Sequence, residues 1–309
     1  STSTADIRTA VTLQLSATSN IGLGATAVDS ITTGDYNVGL GLSALTTTTT
    51  GSQNTAVGVN ALKFNTTASD NTAMGSGALS FNTTGASNTG IGRAALNAST
   101  TASNNTAVGY YALVTNTTGY HNTSVGKSAL QNNTTGYYNA ALGYHALKLN
   151  TTAPYNTGIG YAALATNTTG TYNTALGANS LLANTTADNN TAVGYQALTA
   201  NTTGDANVAV GYTSMLTNTT GTDNTAIGKE SLKANTTGAN NTALGRQALF
   251  SNTTGASNVA VGLNSLKANT TGTENVAVGL GALTATGAGT DGSYNVAVGV
   301  DSLKANTQG

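Results

Sequence analysis

Apolar and polar positions recur along this chain with a period of seventeen residues. The segment NTAVGYQALTANTTGDA, residues 190–206, runs directly into NVAVGYTSMLTNTTGTD and then NTAIGKESLKANTTGAN. Counting from Asn20, an asparagine opens every seventeenth residue as far as Asn275. A last unit opens at Asn295, after a three-residue insertion within TATGAGTDGSY. Residues 20–309 are therefore seventeen units of one repeat, and residues 1–19 form a lead-in that could cap the array or couple it to a neighbour.

Each position in the unit has its own tolerance. Position 2 is Thr, Val or Ile except at Ala140, position 4 is aliphatic or Met, and position 5 is Gly in every unit from Gly24 to Gly299. Position 3 is only Ala, Gly or Ser, position 8 only Ala or Ser, and position 9 is Leu apart from Val28 and Met215. Then come NTTG, or a close relative, and two variable residues. Alternation over positions 2–4 is the mark of a short strand with two unlike faces. Repeated Gly, Asn and β-branched residues oppose a helix. A glycine that never varies implies positive φ or close approach of another backbone.

The unit has room for two short strands and two turns, one near position 5 and one at NTTG. Stacking such coils at the strand spacing of about 4.8 Å places Asn over Asn and Thr over Thr, in ladders where each side chain bonds its copy in the next coil. The pattern predicts an all-β parallel solenoid, a β-roll of seventeen 17-residue coils.

Positions 2, 4 and 9 are expected to fill the coil interior. So few apolar groups poorly offset the ordering of seventeen residues, so a second surface should be buried. The small column at position 3 offers it: Ala56, Ala73, Ala107, Ala141, Ala175, Ala192, Ala209, Ala226, Ala243, Ala260 and Ala277 are the expected oligomer contact. The other reading is that position 3 faces the interior of a very flat coil.

Composition removes several function classes. Only 7% of residues are charged, the formal net charge is −1, and there is no cysteine or tryptophan. No basic stripe exists to neutralise a phosphate backbone, so no nucleic-acid partner is expected. No apolar run approaches the about 20 residues that cross a bilayer, and the start lacks the regions of a signal peptide. His121 and His145 have no ligating neighbours, so neither a metal nor another cofactor is expected. Asp188 and Asp205 fall one coil apart, but read as solvated turn residues rather than a catalytic pair. No enzymatic activity is expected.

The motif N-[TV]-A-[VIL]-G-x-x-[AS]-L resembles the head repeats of trimeric autotransporter adhesins, and its NTTG-containing wording is similar to repeats of bacteriophage tail-fibre proteins. The resemblance spans residues 20–309. It implies a left-handed parallel β-roll, a homotrimer, and a role in attachment. The unit is longer than the usual adhesin-head repeat, with the excess in NTTG, and residues 1–309 carry no stalk or anchor pattern; a fibre or filament module is therefore expected rather than an autotransporter.

The aromatic residues are clustered. Nine of thirteen tyrosines lie between Tyr110 and Tyr172. His121, Tyr138, Tyr155 and Tyr172 share position 17, Tyr120 and Tyr137 share position 16, and Tyr110, Tyr144 and Tyr161 share position 6 beside Tyr111 at position 7. A ring with a polar tip suits a sugar or protein contact; a ladder that only stiffens one edge is the other reading. The expected function is a structural and adhesive fibre on a virion or cell surface, extracellular, with further fibre components and a cell-surface glycan or protein as partners. A self-polymerising filament, with residues 10–15 (AVTLQL) exchanged between copies, and an ice-binding solenoid are the alternatives.

Overall fold

In the computed structural model the described residues are 13–15, 19–284 and 292–305. They fall in two compact units, Ser1–Pro154 and Tyr155–Gly309. In the first unit, β1 (Leu13–Leu15) is followed by one three-residue strand per coil, from β2 (Ile21–Leu23) to β9 (Ala140–Leu142). In the second unit the strands run from β10 (Thr157–Ile159) to β18 (Val296–Val298). Within each unit, successive coil strands pair parallel and in register, each residue lying beside its equivalent, as with Thr55 beside Thr72 and Val193 beside Val210. No helix occurs among the described residues. The protein is a parallel β-solenoid.

One strand of the lead-in pairs within its own chain. β1 pairs antiparallel with β2, Leu13 opposite Leu23 and Leu15 opposite Ile21. Residues 10–12, the rest of the segment expected to exchange between copies, lie outside the described residues, as does most of the insertion (285–291). The ladder passes over that insertion intact: Val276 still pairs with Val296, and the Asn295 amide donates to Asn275 Oδ1 at 3.0 Å.

Each coil has one strand, not the two expected. The cause is backbone geometry at positions 7, 9 and 17, which take left-handed conformations even without glycine: Asn60 at φ 58°, Leu62 at 47° and Asp70 at 63° in a single coil. A left-handed residue turns the chain and cannot extend a strand. Such residues carry strain of about 1–3 kcal/mol each. At Leu62 the compensation is visible, since its side chain is fully buried and its amide donates to the Ala78 carbonyl of the next coil at 3.0 Å.

The interior differs from expectation. Positions 2 and 4 face outward, with Met74, Leu142 and Leu176 43–48% exposed. Position 3 points inward and meets positions 8 and 9 across the coil. A Cβ built on Gly90 lies 3.3 Å from both the Ala95 carbonyl oxygen and Leu79 Cγ, and Ser124 Oγ donates to the Ala129 carbonyl at 2.8 Å. About one methyl group fits there. Ala56, Ala73, Ala107, Ala175, Ala192, Ala209, Ala226, Ala243, Ala260 and Ala277 are completely buried within the single chain, and Ala141 is 1% exposed. Buried inside their own coils, they have no surface to offer another copy, so the flat-coil reading of position 3 holds.

Two asparagine columns line the rest of the interior. At position 1, Asn54 Nδ2 donates to Asn37 Oδ1 at 3.0 Å and to the Ala68 carbonyl across its own coil at 2.9 Å. At position 12, Asn218 donates to Asn201 Oδ1 at 2.9 Å and to the Gly221 carbonyl at 3.0 Å. A buried amide is costly unless its donors and acceptor are matched, and a stack of identical coils matches them automatically. The threonine column works differently from expectation: Thr66 Oγ1 donates to the Thr83 backbone carbonyl at 3.0 Å rather than to a threonine side chain.

Candidate functional site

The coil geometry decides which rings can meet. Position 17 is left-handed and exposed, and position 16 precedes it, so the same two side chains project from the same corner of every coil. In the first unit two adjacent coils together hold four rings at this corner. Tyr120 stacks on Tyr137 with centres 5.0 Å apart and planes 5° from parallel, and His121 stacks on Tyr138 at 4.9 Å and 7°. The two stacks meet edge to face, Tyr137 against Tyr138 at 72° and Tyr120 against Tyr138 at 77°. Tyr138 is 47% exposed. In the second unit Tyr155 stacks on Tyr172 at 5.0 Å and 6°.

Tyrosine has no evident backbone role at position 16. Elsewhere in that column a short side-chain oxygen takes the amide of the preceding coil: Ser52 from Asp35 at 3.0 Å, Ser103 from Ala86 at 3.0 Å. Asp188 and Asp205 do the same, accepting from the Thr171 amide at 2.6 Å and the Asp188 amide at 2.7 Å. They are ladder caps. Tyr120 and Tyr137 place rings where this cap usually sits.

A second aromatic row stands at position 6, beyond the other end of the strand. Tyr110 and Tyr144 lie in the first unit; Tyr161 in the second is 56% exposed. Tyr111 at position 7 lies 4.1 Å from Tyr110, centre to centre, and its hydrogen bond raises the Tyr110 phenol above the usual range. His145 lies 3.7 Å from Tyr144. Burial, then Lys148 and Lys127, hold the His145 imidazole below the ordinary histidine range.

Thus Tyr120, His121, Tyr137 and Tyr138 form one group, and Tyr110, Tyr111 and Tyr144 another in the same unit. Tyr155 and Tyr172 pair in the second unit, and Tyr161 stands in the second unit's position-6 row. The sequence reading singled out the rings but passed over the cations between them. The Arg93 guanidinium lies 5.8 Å from the Tyr110 ring centre, and the Lys127 ammonium 5.7 Å from that of Tyr144. The cue was present, because residues 93, 110, 127 and 144 share one repeat position.

Among the described residues there is no group of three or more metal-ligating side chains and no helix long and apolar enough to cross a membrane. No protein-family model and no curated protein matches the chain.

Proposed function

We propose that the chain is a structural and adhesive fibre segment, a shaft or head on a virion or bacterial surface that holds a receptor-contacting flank away from the particle. One observation carries this reading. Exposed rings, stacked on one another from coil to coil, are concentrated in one stretch of an otherwise uniform scaffold. A scaffold alone has no need of them, since coils with Ser, Asp or Ala at the same corner stack equally well. Immunogold labelling of native material should place the chain on virion fibres or cell-surface appendages; label confined to the cell interior refutes the reading.

In this proposal the assembly is a homotrimer packed through the outward columns 2 and 4. What supports that face is its chemistry: aliphatic side chains remain half-exposed on a flat strand surface, as at Met74, Leu142, Leu176 and Ile227. Exposed apolar stripes of this kind mark association surfaces. Light scattering should give a trimer that Val108→Lys dissociates. A monomeric wild type, or an open polymer, refutes it.

A second reading has one specific observation in its favour. Thr55, Thr72, Thr89, Thr106 and Thr123 form an outward threonine row over five successive strands, as an ice-binding face would. Thermal hysteresis separates the two readings.

A further inference from the structure

Position 6 of four successive coils in the first unit carries Arg93, Tyr110, Lys127 and Tyr144, cation and ring in alternation. All four are exposed. Lys127 lies between two rings, its ammonium 5.8 Å from the Tyr110 centre and 5.7 Å from that of Tyr144, while Arg93 approaches Tyr110 from the other side at 5.8 Å. Rings and cations therefore hold one another upright as a row. These cations have no acidic company: none of the chain's eleven carboxylate side chains lies between Asp70 and Asp188, whereas Arg93, Lys127 and Lys148 all do. In the rest of the chain the balance is reversed, and Lys233 is paired with Glu230 at 3.0 Å.

We infer that this row is a binding track for an acidic polysaccharide in which uronate residues alternate with neutral sugars, the glycan running along the stacking direction. The inference rests on the adhesive reading above and names its ligand class. Its first ground is spacing. Successive position-6 residues are one coil apart, about 4.8 Å, and an extended pyranose chain advances by nearly the same distance per sugar. Arg93 and Lys127 are two coils apart, about 9.6 Å, which matches one acidic disaccharide. The second ground is chemistry. A tyrosine face accepts the apolar face of a sugar ring, and a guanidinium or ammonium pairs with a carboxylate in a charge-assisted bond. A single-stranded nucleic acid fits less well, since it has a phosphate at every residue and the row has a cation only at every second coil.

The test uses the full chain and calorimetric titration with oligosaccharides of hyaluronan and unsulfated chondroitin, the same oligosaccharides after carboxyl reduction, and oligo-dT. Binding to the acidic glycans is expected, weakened at least about tenfold by carboxyl reduction and by the double variant R93Q/K127Q, which each remove the charge pairing. Y110A/Y144A should lose a similar amount. Y195A/Y212A, in the same column of the second unit but with the carboxylate-bearing Glu230 bonded through its amide to the Tyr212 carbonyl, should bind as the parent does. The inference is overturned by no binding to either glycan, by equal binding of the reduced forms, by an unaffected R93Q/K127Q variant, or by tighter binding of oligo-dT. Surface location and trimer formation are measured by labelling and light scattering, so failure of this track and failure of the fibre reading give different results.

Discussion

Glycine at position 5 is the sharpest point at which the stack can be tested, and one coil supplies both the perturbation and its control. Gly75 sits at φ +136°, and a Cβ added there would lie 2.6 Å from the carbonyl carbon and oxygen of Gly92 in the next coil. Gly77, two residues on, has φ +70°, and its added Cβ would meet only Asn97 Nδ2, at 3.3 Å. Ala94 already occupies the equivalent position of the next coil at φ 55°. Gly75→Ala must push neighbouring coils apart by somewhat less than about 1 Å to restore van der Waals contact. The bonds that cross this junction, Gly92 N–H to the Met74 carbonyl at 2.7 Å and Ala94 N–H to the Ser76 carbonyl at 3.0 Å, would stretch to the limit of hydrogen bonding or past it. Two weakened bonds at about 1 kcal/mol each, with backbone strain of about 1–3 kcal/mol, give a local cost of about 3–5 kcal/mol. Gly77→Ala carries only the left-handed penalty of about 1–2 kcal/mol. Because coil stability in a solenoid is set by nearest neighbours, hydrogen exchange is the suitable assay. The Gly92 and Ala94 amides should exchange about a hundredfold or more faster in Gly75→Ala, and at most about thirtyfold faster in Gly77→Ala. Equal effects of the two substitutions would refute the argument that coil-to-coil backbone contact demands glycine at position 5.

Other outcomes follow from the asparagine columns. Ser99 interrupts the position-12 column, and both its Oγ and the Oδ1 of Asn82 are buried without a partner. Ser99→Asn should bond Asn82 and the Ala102 carbonyl, as Asn82 bonds Asn65 and Gly85; a gain of about 1–3 kcal/mol in chemical denaturation is expected, and a loss would show the column is not limited by matching. The twelve Asn-Thr-Thr triplets are formal glycosylation sequons, yet Asn65, Asn133, Asn201 and Asn252 among them are fully buried. Expressed in a glycosylating secretory host, they should be bare in the folded protein by mass spectrometry, and widespread occupancy would contradict these ladders.

Much of this fold could be read from the chain, and the reasons are local. A side chain that never appears at position 5 signals a backbone with no room for one, and the structure supplies both positive φ and a neighbouring carbonyl. Asparagine recurring at positions 1 and 12 signals ladders, because only its own copy in the next coil offers both a matching donor and a matching acceptor. The aromatic group at Tyr120, His121, Tyr137 and Tyr138 followed from the seventeen-residue period alone, since equal positions in adjacent coils must stack. The single strand per coil did not, because Leu62 and its equivalents adopt a conformation that leucine rarely takes; it is held there by burial and by a bond to the next coil.

The sequence by itself determined the period, the register and the identity of every column. It did not determine which face of the strand is inside. Alternation says only that position 3 opposes positions 2 and 4, and hydrophobicity favours the larger residues as the core. The tertiary structure decided otherwise because each coil is closed tightly by left-handed turns at positions 7, 9 and 17. The Leu at position 9 and the carbonyl at position 8 come so close to the strand that only a methyl-sized group fits between. Alanine therefore takes the inward side of the strand, and the strand's own aliphatic side chains are turned outward as the face offered to partners in the proposed assembly.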